Sequence, residues 1–253
     1  MAENKKGLAA RHDSPRCAKG VGKYHISMTQ RQVVMIKILG ICGSPVKKGN
    51  MESVLKQALS HLQDQEAVKT EIITLADKDF NGCKHCNWCV KNQSEGEFCV
   101  QEDDMKTIYP KILEVDGILL ATPVHFGRLS GLMANMIDRL RVFVHGNAYR
   151  GRLHNKIGGA LAVAFSRGRG VETTLSSINS MFFAFQMIVA TSGMYQLGAA
   201  TFSSTDGKGK VIKGVRHMAL EDDFGTASAR LLAERMLELA RIVRAGRSGQ
   251  FPP

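Results

Sequence analysis

No apolar run in this 253-residue sequence approaches the roughly 20 residues that a membrane-spanning helix needs. The longest candidates, Ile157 to Phe165 and Met181 to Thr191, have the length of a strand or a core helix. The N-terminal stretch has no apolar h-region, so a secretory signal is disfavoured and a soluble, cytoplasmic protein is expected. An aromatic-rich basic stripe is also missing, and no nucleic-acid motif replaces it. The formal net charge of +11 therefore does not by itself indicate DNA or RNA. No Ser–His or His–carboxylate arrangement has the spacing of a separate acid–base catalyst, and no internal repeat occurs.

What is present is ordinary globular material: 44% hydrophobic and 23% charged residues, enough to bury one substantial core. The charge is unevenly placed. Residues 1–34 are polar and carry Lys5, Lys6, Arg11, Arg16, Lys19, Lys23 and Arg31 against only Glu3 and Asp13. Gly7, Pro15, Gly20 and Gly22 would interrupt the helix of a transit peptide. This stretch reads as a basic, disordered extension, or as sequence upstream of a natural start near Met35. One domain is then expected over 35–253. Its mildly basic body suits a protein that binds a phosphate-bearing cofactor or docks an acidic electron donor.

Val33 to Ile41 is a continuous aliphatic run of the kind found in strands buried on both faces. The turn sequence Cys42-Gly43-Ser44-Pro45 ends it, and Val54, Leu55, Ala58 and Leu62 mark one stripe of a helix over 50–62. Val68 to Leu75 alternates like a strand near an edge. Glu102, Asp103 and Asp104 open a helix reaching Leu113, at the end where the dipole favours acidic residues. Gly117 to Ala121 predicts a third strand, stopped at Thr122-Pro123, before a helix over 129–142 with Leu132, Met136, Ile137 and Leu140 inward. Ile157 to Phe165, a helix over 173–185, Met187 to Ala190 and a helix over 226–243 complete the pattern, the last with Ala229, Leu232, Met236, Leu239 and Ala240 inward. Alternating strands and helices imply right-handed βαβ units and a parallel sheet. Five strands match the doubly wound, flavodoxin-like order 2-1-3-4-5, in which ligands bind at the carboxyl ends beside the switch between strands one and three.

Three loops follow strands one, three and four. The first contains Ser44, Lys47, Lys48, Gly49, Asn50 and Met51; a phosphate there could accept N–H bonds from the helix start and from these side chains. It is neither a Walker A loop nor a GxGxxG fingerprint, which disfavours ATP and GTP. The second holds Pro123, Val124, His125, Phe126 and Gly127, with flat side chains suited to lie beside a ring. The third, with Ser166, Gly168 and Gly170, could close over the other end. Each alone is equally an ordinary turn; three at the three expected positions form a pattern.

The segments KILGICGSPVKKGN, DGILLATPVHFGRLSGLMANMIDR and GVETTL together resemble the NADPH-dependent FMN reductase superfamily. The CxxCxxC stretch makes the chain most similar to the iron-sulfur flavoproteins within it, and the resemblance runs from Met35 to Ala245. It implies FMN, with phosphate on the loop from Ser44 to Met51, the isoalloxazine ring against Pro123 to Gly127, and the strand-four loop at the ring's edge. It also implies a homodimer or homotetramer in which a cluster of one subunit approaches the FMN of another. Val46 departs from the usual arginine and Met51 from the usual hydroxyl, so Lys47 or Lys48 must compensate. The usual Gly-Gly-Gln-Glu is present only in part, as Arg169-Gly170-Val171-Glu172; Arg167 and Arg169 are either substrate-phosphate ligands or solvated charges.

Of six cysteines, Cys17 and Cys42 stand apart, while Cys83, Cys86, Cys89 and Cys99 share the stretch 81–100. In a chain of intracellular character such cysteines suggest metal or redox chemistry before disulfides. The compact triple spacing suits a 4Fe–4S cluster closed by a fourth cysteine, with Cys99 the least regular ligand because its gap is longer than in the resembled family. Structural zinc and reduced or redox-active cysteines stay open as alternatives. Trp88, the only tryptophan, sits beside Cys89 as a shield or as core of the loop. The leading expectation is an electron-transfer flavoprotein exchanging electrons between FMN and a cluster, with NAD(P)H or ferredoxin as redox partner. The alternatives are an NAD(P)H-dependent FMN or quinone reductase without a cluster, and a zinc-stabilised flavodoxin-like binding module.

Overall fold

A computed structural model describes residues 35–247, so the expected basic extension over 1–34 lies outside the described residues. In chain order the first half holds β1 (Ile36–Cys42), α1 (Asn50–Gln63), β2 (Val68–Thr74), α2 (Trp88–Lys91), α3 (Met105–Glu114) and β3 (Gly117–His125). The second half holds β4 (Arg128–Leu129), α4 (Gly131–Arg139), α5 (Arg141–Val144), β5 (Ile157–Ala164), α6 (Val171–Ala184), β6 (Ile188–Ala190), β7 (Ala199–Phe202) and α7 (Asp223–Arg247). No helix among the described residues is long and apolar enough to cross a membrane.

The sheet runs β2-β1-β3-β5-β6, all parallel, which is the expected doubly wound order. Two short strands were not foreseen. β4 folds back on β3 as a hairpin, and β7 pairs with β5 beyond β6. The fifth position of the sheet is therefore split: β6 lies along Ile157 to Gly159 of β5, and β7 along Leu161 to Ala164. The excursion between them is tied off by Ser192, whose hydroxyl donates to Gly198 O at 2.7 Å and accepts the Tyr195 N–H at 3.0 Å. β3 also outruns its expected end at Ala121. Pro123 lacks an N–H, yet it stays in parallel register with Val163 and the strand continues to His125.

The strands are apolar on both faces because both are covered. Leu39, Ile41, Ile118, Leu120, Ala160 and Ala162 face the layer of α3, α4 and α6. Ile36, Ile38, Leu119, Ala121, Leu161 and Val163 face α1 and α7. Each such large side chain contributes about 1.5–3 kcal/mol on burial. Gly158 and Gly159 let the helices close in, since a Cβ on Gly158 would lie 2.6 Å from the Phe182 ring and one on Gly159 2.4 Å from the Met236 sulfur.

Candidate functional site

β1, β3 and β5 end side by side, and the loops that leave them are fastened to one another. Gly43 N–H donates to Ala121 O at 2.7 Å, and the Ser130 hydroxyl, which caps α4, donates to Gly43 O at 2.5 Å. The Ser130 N–H in turn reaches the Thr122 hydroxyl at 3.1 Å. The first loop therefore rests on the second. Within it, Ser44 Oγ accepts the Val46 N–H at 3.1 Å, and α1 begins at Asn50 with no side-chain cap, leaving its first N–H groups open. Glu52, 7% exposed, accepts the Lys48 N–H at 2.7 Å and pairs with Lys56 at 2.5 Å. Burial alone would raise its pKa, but the Lys56 ammonium and the Lys48 N–H outweigh it and hold the carboxyl below its usual range. Lys47 is bound to Asp77 at 2.6 Å.

The second loop is a two-residue hairpin turn between β3 and β4. Phe126 and Gly127 both have positive φ, 49° and 79°, as a type I′ turn requires. Phe126 is fully exposed at the tip, an unusual position for a bulky residue with positive φ. The third loop meets it backbone to backbone: Gly170 has φ 92°, and a Cβ there would lie 2.3 Å from Gly127 Cα. Arg167 is exposed; its Nε donates to Asp206 O at 3.0 Å and its guanidinium lies over the Phe202 ring at 4.5 Å. Arg169 is exposed.

Two adjoining cavities open on this end of the sheet. One, of about 430 Å³, is lined by the first loop from Ser44 to Met51, by Pro123, Val124 and His125, and by Val163, Phe165, Ser203, Arg216 and His217. The other, of about 440 Å³, shares Val124 and Phe165 and adds Phe126, Gly127, Ser166, Gly168 and Gly170. Both fall in the size range of small-molecule sites. Every residue expected to hold the cofactor thus lines one of them. Met51 does so although it is almost wholly buried, so it offers backbone rather than side chain. Ser203, Arg216 and His217 were not foreseen, because they follow β7, a strand the periodicity had not revealed.

The cysteine stretch lies between β2 and α3 and is fixed mainly around its edge. Arg139, 1% exposed, grips Asn81 O at 2.9 Å and both oxygens of Asp103 at 2.5 and 3.0 Å. Burial alone would lower its pKa, but the Asp103 carboxylate more than offsets this and holds it above the usual guanidinium value. Gln93 ties Phe98 O to the N–H groups of Ala148 and Tyr149. Phe98 stacks on Tyr109 and Tyr149 with ring centroids 5.1 and 4.2 Å apart. Trp88 packs half-buried against the core. Cys83, Cys86, Cys89 and Cys99 are all free thiols. Burial pushes the Cys89 pKa up, Arg141 opposes this, and Cys99, Cys83 and Cys86 each add to the rise. His85 and Asn87 have positive φ, 52° and 58°, and the His85 N–H donates to Cys83 Sγ at 3.4 Å. Arg141 reaches Asn87 Oδ1 at 2.6 Å, and its Nε is buried without a partner. Among the described residues, however, no three potential ligands are already gathered around a metal position. The donor set fits a thiolate-bound metal in kind, while its geometry is not preassembled.

A parallel doubly wound sheet with a ligand-sized cleft at its carboxyl edge beside the switch between β1 and β3 defines the flavodoxin-like class. Within it, the chain belongs to the NADPH-dependent FMN reductase family, whose model matches residues 36–202. It is therefore an FMN-dependent oxidoreductase. An iron-sulfur flavoprotein of Methanocaldococcus jannaschii is 36% identical over 209 residues, which cover 83% of this chain and 100% of that relative. One from Methanosarcina thermophila is 28% identical over 212 residues, 84% of this chain and 99% of the relative. Among solved structures, RosB with a bound riboflavin-phosphate intermediate superposes with a TM-score of 0.64 at 17% identity, over 83% of this chain and 80% of the other. That last likeness speaks to the fold alone.

Proposed function

We propose that the paired cavities hold FMN, phosphate over the first loop and isoalloxazine ring between the turn at 123–127 and the loop at 166–170. The observation that carries this reading is the meeting of three sequence-distant loops in one ligand-sized cleft. Bound flavin supplies the redox chemistry; the protein supplies position, charge and exclusion of water. Ser44, Gly49, Asn50 and Met51 frame the phosphate, where the open N–H groups of α1 favour an anion. Lys48 adds charge nearby, whereas Lys47 is engaged by Asp77. Pro123, Val124, His125, Phe126 and Gly127 form one wall for the ring, and Ser166, Gly168 and Gly170 the facing edge.

In this reading Cys83, Cys86, Cys89 and Cys99 carry a 4Fe–4S cluster that trades electrons with the flavin. The family relatives' names and an all-thiolate donor set support it. That the thiols are not yet gathered agrees with sites that assemble only as metal binds. NAD(P)H or a ferredoxin serves as donor, and the protein works in the cytoplasm as a homodimer or homotetramer. The exposed Phe126 and Phe165, which line the same cavity, form an apolar rim that supports a covering subunit or partner.

The same dispersed thiols favour, as a second reading, an NAD(P)H-dependent FMN or quinone reductase without a cluster. Anaerobic purification followed by absorbance, iron and sulfide analysis separates the two. About four irons and four sulfides per chain support the cluster. Iron near zero, with flavin bleached directly by NADPH, supports the second.

A further inference from the structure

The phosphate end of the cleft has a charge problem that its own loop does not solve. FMN brings a dianionic phosphate to a helix start where the carboxylate of Glu52 already lies buried. The neighbouring cations are largely committed: Lys47 to Asp77 at 2.6 Å, and Lys56 to Glu52 at 2.5 Å. Val46 is exposed but apolar, and Met51 is buried. On the wall of the first-loop cavity, Lys48 and Arg216 are the lysine and arginine with no ion-pair partner among the described residues, while Arg169 lines only the second cavity.

Arg216 arrives from a different part of the chain, yet its segment is fastened to the first turn of α1. Asn50 Oδ1 accepts the Ala219 N–H at 2.9 Å, and Ser53 Oγ lies 3.3 Å from His217 Nδ1. Met218 and Ala219 are buried, which anchors the strip from below. These contacts hold Arg216 and His217 at the same helix start that leaves its N–H groups open. Of the two uncommitted cations, the arginine has the planar fork that matches two phosphate oxygens at once, where a lysine acts as a point charge.

We propose that Arg216, with His217 beside it, is the main side-chain donor to the flavin phosphate, so that the strip 216–219 selects FMN over unphosphorylated riboflavin. The proposal rests on FMN occupying the cleft. Its test is equilibrium titration of the flavin-free full chain with FMN and with riboflavin, followed by flavin fluorescence, for wild type, R216A, R216K and S53A. Lys213→Ala removes the same charge from an exposed position that does not line the cleft.

R216A should weaken FMN by roughly tenfold to a hundredfold, as expected for a lost hydrogen bond to a charged group, and leave riboflavin unchanged. R216K should recover part of the loss, and S53A should show a smaller, equally phosphate-selective one. If R216A weakens FMN no more than K213A, or weakens both flavins equally, the proposal is wrong although FMN still sits in the cleft. If wild type takes up neither flavin, the cleft reading fails and the proposal with it.

Discussion

The cleft at the carboxyl edge of the sheet and the cysteine stretch are built in opposite ways. Each cleft loop springs from a buried parallel strand and is pinned to its neighbour by backbone, as Gly43 is to Ala121 and Gly170 is against Gly127. The cysteine stretch instead hangs between β2 and α3, fixed at its margins by Arg139 and Gln93 while its thiols stay separate. The contrast teaches which ligand must be met by preformed structure. A flavin is held by many weak contacts, each useful only if it is in place beforehand. Thiolates bind metal strongly enough to finish the folding of their own site.

The largest expected effect breaks the margin of the cysteine stretch. R139M leaves the half-buried Asp103 without its partner and frees Asn81 O; chemical denaturation should show a loss of about 1.5–3 kcal/mol. Iron uptake on reconstitution should fall with it. No change in stability would mean that the Arg139–Asp103 pair does not hold this edge. Next is G170A in the cleft. Its φ of 92° and the 2.3 Å approach to Gly127 predict a cost of about 1–3 kcal/mol and weaker FMN binding, read by melting and by titration. Unaltered binding would separate the two loops functionally.

C86S sharpens the comparison without touching the core, since Cys86 is exposed. Iron should drop sharply while FMN affinity stays within about twofold, as for independent sites; joint loss would make the two regions one site. The smallest effect concerns Cys42, which is fully buried at the end of β1, under the first loop. Burial pushes its thiol up to about 11. At pH 8 only about one part in a thousand would be thiolate, so alkylation with iodoacetamide should mark Cys86 and spare Cys42. Rapid labelling of Cys42 would show that the cleft floor opens.

Much of this was legible in the sequence where the physics is local. Strands β1, β3 and β5 are runs of aliphatic residues, and α1, α4 and α7 carry periodic stripes, so order and layers followed, and with them the loops. β7 was not legible: Ala199 to Phe202 is short, poor in β-branched residues, and becomes a strand only because β5 continues past β6. Arg216 and His217 were missed for that reason, because their loop was not recognised as leaving the sheet. The fate of Lys47 was equally hidden, since Asp77, far along the chain, claims it. The resemblance called for a compensating cation, Lys47 or Lys48; of these, Lys48 lines the cleft without an ion-pair partner among the described residues.

The flavin assignment is tested most directly by a crystal structure of the protein loaded with FMN. Its phosphate should lie within hydrogen-bond distance of the N–H groups that open α1, with the ring between Val124 and the loop at Gly168. Flavin bound elsewhere on the molecule, or in this cleft with its phosphate directed away from α1, would contradict it.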